Sequence, residues 1–233
     1  MNMYKIPRII HQTWKTTNVP SLYTPWVKSW KENHPGWQYM LWTDDMNIAF
    51  IKKYAPDFLR TYRNYPHTIQ RVDAVRYFIL YHLGGMFIDL DFECLENIEL
   101  LLKNQECVFG TEPPAHCEQH NKELIVCNAL MACAPGNNFF KIICESLQKY
   151  LRVKTTSVPA WLEILDTTGP FKLTELYNAY TEKGNIKLIS SDLLYPFSIK
   201  ETRELINSAA INEVIQKKID GAYAVHYFLG SWW

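Results

Sequence analysis

The segment Thr68–Leu95, TIQRVDAVRYFILYHLGGMFIDLDFECL, limits what the chain can fold into more than any other stretch. Ile69, Val72, Ile79 and Leu83 recur at helical spacing, and Gly84-Gly85 stops that helix where a positive φ is needed. Met86–Ile88 then reads as a short apolar strand running into Asp89-Leu90-Asp91. Side chains alternate along a strand, so Asp89 and Asp91 share one face and Leu90 takes the other, provided the extended chain persists that far. Two carboxylates so placed form a hard-oxygen platform suited to Mg²⁺ or Mn²⁺, especially when a substrate supplies further oxygens. Two solvated carboxylates at a strand end are the competing reading, because an isolated D-x-D is common by chance.

The rest of the chain alternates strands with helices. Pro7 precedes a strand at Arg8–Gln12, and Ser21 can cap a helix carrying Leu22, Trp26 and Trp30 on one stripe, ending near Pro35-Gly36. Trp37–Trp42 reads as a second strand, followed by a helix from an Asp44 cap to Lys53. Val108–Gly110 and Ile125–Ala132 are further strands, and Asn138 caps a helix to Leu151 with Ile142, Ile143, Leu147 and Leu151 inside. Phe171–Tyr180 reads as helix, Ile186–Ile189 as extended and Ala209–Ile219 as helix; a last strand at Tyr223–Tyr227 delivers His226. The expected class is α/β. No repeat or linker divides the sequence, so residues 1–233 are expected to form a single domain. Open α/β sheets bind ligands at the carboxyl ends of their strands, which is where the acidic pair falls.

Lys and Arg number 24 and Asp and Glu 24, so the basic footprint of a general nucleic-acid binder is missing and no nucleic-acid partner is expected. Locally the charge is uneven. Residues 1–40 hold five basic groups and one acidic, whereas residues 85–125 hold nine acidic and two basic. An acidic middle can hold a cation while basic groups elsewhere meet an anion, unless these charges are merely solvated on loops. The uncharged stretches Leu124–Phe140 and Gly221–Trp233 do not read as membrane spans, and Lys5 and Arg8 sit where a signal peptide would have its apolar core. Cys94, Cys107, Cys117, Cys127, Cys133 and Cys144 lack paired metal-ligand spacing, so reduced thiols are expected. The expected location is the cytoplasm, soluble or peripherally associated with a membrane.

Asp73 and Arg76 lie three apart on one face of the Thr68–Leu83 helix. With Gly84-Gly85 and Asp89-x-Asp91 they form a block that resembles glycosyltransferase family 32. These DXD-containing sugar transferases include fungal mannosyltransferases and bacterial capsule transferases and are akin to clostridial glucosylating toxins. The likeness covers nearly the whole chain in family order. It starts at Ile6-Pro7-Arg8-Ile9-Ile10-His11-Gln12-Thr13-Trp14-Lys15, passes through Tyr77 and Thr167-Thr168-Gly169-Pro170, and ends at His226 and Ser231-Trp232.

The resemblance implies a GT-A fold, a Rossmann-like domain with a mixed central sheet flanked by helices. It also implies a UDP- or GDP-sugar donor held on Mn²⁺ or Mg²⁺, a glycan or other hydroxyl acceptor, and transfer with retention of anomeric configuration. By the same resemblance Asp91 binds the metal, Asp89 contacts the metal or the ribose, and His226 is a further metal ligand. Ser231 and Trp232 reach the diphosphate. Asp73 and Arg76 hold the ribose and the donor sugar or phosphate, His11, Gln12 and Trp14 line the base pocket, and Gly85 joins the donor-binding set. Asp89, Asp91 and Arg76 are the expected catalytic set.

Structural alternatives stand beside these roles: His226 as a half-buried histidine on a carbonyl, Trp14 as core, Arg76 paired only with Asp73, and Asn128 as a backbone-bonded amide rather than a sugar contact. Breaking the anomeric bond releases a nucleoside diphosphate, so charge developing on its β-phosphate must be stabilised, with Ser231, Trp232 or Lys172 as supplementary donors. No carboxylate nucleophile stands out. The resemblance therefore favours attack on the leaving-group side, the departing phosphate oxygen helping to remove the acceptor proton. A nucleotide-sugar hydrolase or pyrophosphorylase on the same platform is the alternative enzyme, and a sugar- or nucleotide-binding module is a third reading. Residues 226–233 read as a terminal lid over the donor, with lipid contact by Trp232 and Trp233 as the alternative.

Overall fold

The computed structural model describes residues 4–149, 158–208 and 212–230. Its strands are β1 (Ile9–Thr13), β2 (Gln38–Trp42), β3 (Gly85–Ile88), β4 (Phe92–Cys94), β5 (Cys107–Thr111), β6 (Val126–Cys133), β7 (Lys187–Ile189) and β8 (Ala224–His226). Six of them form a mixed sheet in the order β2-β1-β3-β6-β5-β7, and β4 pairs with β8 apart from it. β1 runs parallel to β2 and β3, β6 is antiparallel to β3 and β5, and β7 is parallel to β5.

Alternation along the strands divides the core into two layers. Phe87, Phe109, Met131 and Cys133 pack with residues of the helices Thr68–Leu83 and Asn138–Gln148. Met86, Ile88, Val108, Leu130 and Ala132 pack with Trp30, Ile98, Leu102 and Leu194. Every residue of β3 and β6 is buried, as expected of strands covered on both faces.

The helix–strand junction depends on glycine twice. Gly84 has φ 66° and Gly85 φ 94°, and a Cβ at Gly84 would stand 2.7 Å from Pro135 Cδ, one at Gly85 2.7 Å from the Ile9 carbonyl. Both the backbone conformation and the close approach exclude a side chain. The chain can therefore turn directly from the helix into β3, between β1 and β6.

His226 is brought in by a relay of long-range bonds. In the helix Thr24–Asn33, Trp30 Nε1 donates to the Phe92 carbonyl at 2.7 Å and Asn33 Nδ2 to the Cys94 carbonyl at 3.2 Å. These bonds seat β4, and β8 then pairs antiparallel with it, Phe92 opposite His226.

Several expected details differ. The first helix is preceded by a 3₁₀ turn, Ser21–Tyr23, with no capping bond from Ser21, and Leu22 is 59% exposed instead of sharing the Trp30 stripe. Thr43, not Asp44, caps the helix Asp44–Tyr54, accepting from the Met46 N–H. Asn137, not Asn138, caps Asn138–Gln148, and the expected end at Leu151 lies outside the described residues. Asn212 caps Glu213–Asp220, while residues 209–211 of the expected helix also lie outside them. The helices Ala160–Thr167 and Ile199–Ser208 were not expected.

Candidate active site

The ends of β1, β3 and β5 and the start of β6 open onto a cavity of about 1520 Å³. Asp89 and Asp91 line it, with Asp73, Arg76, Asn128 and His226.

Asp89 is fixed by the helix that precedes it. Arg76 Nη1 reaches Asp89 Oδ1 at 2.9 Å and also donates to the Asn128 carbonyl at 2.9 Å, while Nη2 lies 3.2 Å from Asp73 Oδ1. Asp73 additionally accepts from Asn128 Nδ2 and from Thr168 Oγ1, both at 3.1 Å. The Thr167-Thr168-Gly169-Pro170 motif thus anchors the helix, with Gln70 Nε2 donating to Thr167 Oγ1 at 2.7 Å. Burial pushes the Asp73 carboxyl up to about 7 against the pull of Arg76. Burial likewise raises the Asp89 carboxyl, opposed by the same guanidinium. With Arg76 2% and Asp73 6% exposed, most of their hydrogen-bonding capacity is spent within the scaffold.

Asp91 is fixed from the other end of the chain. Its Oδ1 faces His226 Nε2 at 3.2 Å, its Oδ2 accepts the Leu229 N–H at 2.8 Å, and its backbone carbonyl accepts the Tyr227 N–H at 2.9 Å. Burial alone would lower the His226 imidazole and raise the Asp91 carboxyl. Facing each other, they move the opposite way, His226 up and Asp91 down, and the Leu229 N–H adds to the hold on the carboxylate.

One ligand atom each from Asp89, Asp91 and His226 falls within 4.8 Å of the others. An octahedral ion with bonds of about 2.1 Å separates neighbouring ligands by about 3 Å, close to the spacing of His226 from Asp91. Among the described residues His226 Nδ1 is buried without a hydrogen-bond partner and Nε2 faces only another candidate ligand, so that part of the scaffold ties up neither ring nitrogen. Two carboxylates and an imidazole suit Mn²⁺ better than Mg²⁺. The residues present fit such an ion.

The expected base-pocket residues separate. Trp14 lines the cavity beside Lys15 and Tyr23, its ring 5.4 Å from the Tyr23 ring. His11 and Gln12, by contrast, are completely buried behind the wall. His11 Nδ1 accepts from Trp42 Nε1 at 3.1 Å, which leaves the ring proton on Nε2 for the Gly84 carbonyl at 2.9 Å. Burial pushes its imidazole down to about 4. Gln12 donates to the Asp89 carbonyl at 3.2 Å and accepts from Tyr39 at 2.8 Å, so it acts on the site through the backbone. Gly85 is buried in β3 and does not line the cavity. Ser231 and Trp232 lie outside the described residues.

Sequence reasoning missed Glu112 and His116, which also line the cavity, paired at 2.8 Å. An acidic residue four before a histidine carries no special signal.

Residues 20–108 match the family described as glycosyltransferase sugar-binding region containing DXD motif, a span that holds Asp73, Arg76, Asp89 and Asp91. Over that span the chain resembles the DXD-containing glycosyltransferases. It is 38% identical over 175 residues to inositol phosphoceramide mannosyltransferase 2 of Schizosaccharomyces pombe, covering 75% of this chain and 47% of that protein. It is 37% identical over 180 residues to the mannosyl phosphorylinositol ceramide synthase CSH1 of Saccharomyces cerevisiae, covering 77% and 44%. The chain therefore spans about half the length of these curated relatives.

Two solved glycosyltransferases share the architecture. The PaToxG glycosyltransferase superposes with a TM-score of 0.53 at 12% identity, covering 94% of this chain and 89% of that one. The ligand-free glycosyltransferase domain of the YGT toxin gives 0.50 at 10%, covering 93% and 90%. At such identities the likeness speaks for the fold, which is the GT-A type. Among the described residues no helix is long and apolar enough to cross a membrane.

Proposed function

We propose that this DXD glycosyltransferase moves a hexosyl group from a nucleotide-sugar to a hydroxyl acceptor, with a divalent cation and with retention of configuration. The observation that carries the reading is the convergence of Asp89, Asp91 and His226 on the wall of one large cavity. Mannose is the preferred donor sugar, supported by the names of both fungal relatives.

When bound, the cation supplies Lewis-acid stabilisation of the charge on the departing diphosphate. Asp89, Asp91 and His226 hold it. Arg76 and Asp73 act as positioning residues, keeping one Asp89 oxygen engaged so that the carboxylate presents a fixed orientation. The Leu229 N–H does the same for Asp91. Trp14 and Lys15 offer an aromatic face and a cation to the nucleotide. The acceptor attacks on the leaving-group side, its proton passing to the departing phosphate oxygen, and no protein nucleophile is assigned.

Product analysis separates the readings. The full chain is incubated with UDP- and GDP-hexoses, with Mn²⁺ or EDTA, and with methyl α-mannoside or inositol phosphoceramide as acceptor probe. A transferase releases nucleoside diphosphate faster when acceptor is present and stops in EDTA. Release indifferent to acceptor would favour the hydrolase, nucleoside triphosphate formed from pyrophosphate the pyrophosphorylase, and no turnover the binding module.

A further inference from the structure

Glu112 directly follows β5 and takes no part in the cluster of Asp89, Asp91 and His226. A register shift between Phe109 and Gly110 re-aims the end of β5, and the Glu112 N–H is then held by the Ile125 carbonyl at 2.9 Å. Its side chain is 12% exposed and lines the cavity.

The carboxylate is held in one orientation by three segments. Glu112 Oε2 accepts from His116 Nδ1 at 2.8 Å. His116 Nε2 accepts the Ile199 N–H at 2.9 Å, which places the ring proton on Nδ1, toward Glu112. Phe228 meets the His116 ring edge-on at 4.9 Å and lies 4.1 Å from the His226 ring. Phe228 has φ 48°, a left-handed conformation that a bulky residue keeps only where its surroundings enforce it. Among the described residues nothing bonds to Glu112 Oε1, which leaves one oxygen of an oriented carboxylate available to a ligand.

Sheet order supplies a ruler. Along the cavity edge β1, β3, β6 and β5 bring Trp14, Asp89, Asn128 and Glu112 in that sequence. Neighbouring strands stand about 4.8 Å apart, which puts Glu112 about 10 Å beyond Asp89 and about 14 Å from Trp14. A donor with its base near Trp14 and its diphosphate near Asp89 lays its sugar across β6, and the next position is β5. A carboxylate there repels a diphosphate but takes hydroxyl groups through charge-assisted hydrogen bonds.

We infer that Glu112, oriented by His116, forms the acceptor subsite, its free oxygen accepting a hydrogen bond from an acceptor hydroxyl. The assignment rests on the transferase reading above. Glu112 touches substrate, whereas His116 is a positioning residue.

The test uses the full chain with Mn²⁺, the nucleotide-hexose it turns over, and methyl α-mannoside or inositol phosphoceramide, whichever is glycosylated. Glu112→Gln and Glu112→Ala should raise the acceptor KM by about tenfold or more, while the calorimetric Kd for the nucleotide with Mn²⁺ moves by less than about twofold. Glu112→Asp should recover part of the loss, and His116→Asn should shift the acceptor KM less, in the same direction. If Glu112→Ala does not fold, Glu112→Gln preserves the volume and an oxygen for His116, and decides the question. An unchanged acceptor KM overturns the inference, as does equal weakening of nucleotide and acceptor, or a sugar trapped covalently on Glu112 without acceptor. A wild-type chain that binds nucleotide but transfers nothing to either probe defeats the transferase reading first and removes this assignment with it.

Discussion

The two aspartates of Asp89-Leu90-Asp91 lie two positions apart in the turn that joins β3, which ends at Ile88, to β4, so the strand does not extend through them as expected, and different parts of the chain hold them. Asp89 is gripped by Arg76, on the helix immediately before it, and through Arg76 by Asp73 and Asn128. Asp91 is gripped by His226 and Leu229, 135 and 138 positions further on. The first half of the site is assembled once the helix, the glycine turn and β3 have packed against β6. The second exists only when β8 has paired with β4. On the proposed reading, metal binding needs the C-terminal segment docked, because Asp91 and His226 meet only there. Arg76 and Asp73, which position Asp89, are part of the buried core, and their loss is felt in stability as well.

The largest expected effect breaks the local half. Arg76→Met leaves Asp73 and Asp89 without their cation in a buried setting, and urea unfolding should show a loss of about 3–5 kcal/mol. Adding Asp73→Asn should return part of that loss; strictly additive losses would mean the two residues are not coupled.

Acid should find the same half through His11. Its imidazole is neutral in the fold, at about 4 against an ordinary 6.5, so between those values its own contribution to stability falls as pH drops. Asp73 opposes it over the same range, because its carboxyl, raised to about 7, contributes more as pH drops. The His11 contribution is complete above pH 6.5 and is lost progressively toward pH 4, to a total of about 3 kcal/mol. Urea midpoints compared at pH 7 and 4.5 should converge less steeply in His11→Gln, and equal slopes would remove His11 as the cause.

The distal half should respond in turnover instead. Asp91→Asn should lower nucleoside diphosphate release about 100-fold at saturating donor while leaving the urea midpoint near wild type. A large stability loss with intact specific activity would reverse the contrast. Trp14→Ala should have the smallest effect, weakening nucleotide binding by about fivefold in a calorimetric titration without changing Mn²⁺ stoichiometry.

The same contrast explains what could be read in the sequence. The local half was legible because its signals are contiguous: helical spacing through Leu83, two glycines, a short apolar strand and the acidic pair. His11 and Gln12 were harder. In a strand flanked by β2 and β3 and covered on both faces, a polar residue is as readily an internal hydrogen-bonding partner as a ligand contact, and only the Trp42, Gly84, Tyr39 and Asp89 contacts decide. Leu22 misled because the 3₁₀ turn resets the helical phase before Thr24. The three residues of β4 carry no periodic signal, and their partner lies at the far end of the chain. Glu112 and His116 were invisible for a related reason: the β5 bulge and the Ile199 N–H that orient them are products of packing.

The most direct test of the account is a Mn²⁺ titration by electron paramagnetic resonance, with GDP or UDP present, on wild type, Asp91→Asn and His226→Ala. The account predicts one tight ion in the wild type and at least about tenfold weaker binding in each variant. Wild-type affinity in both variants, or no bound Mn²⁺ in the wild type, would contradict it.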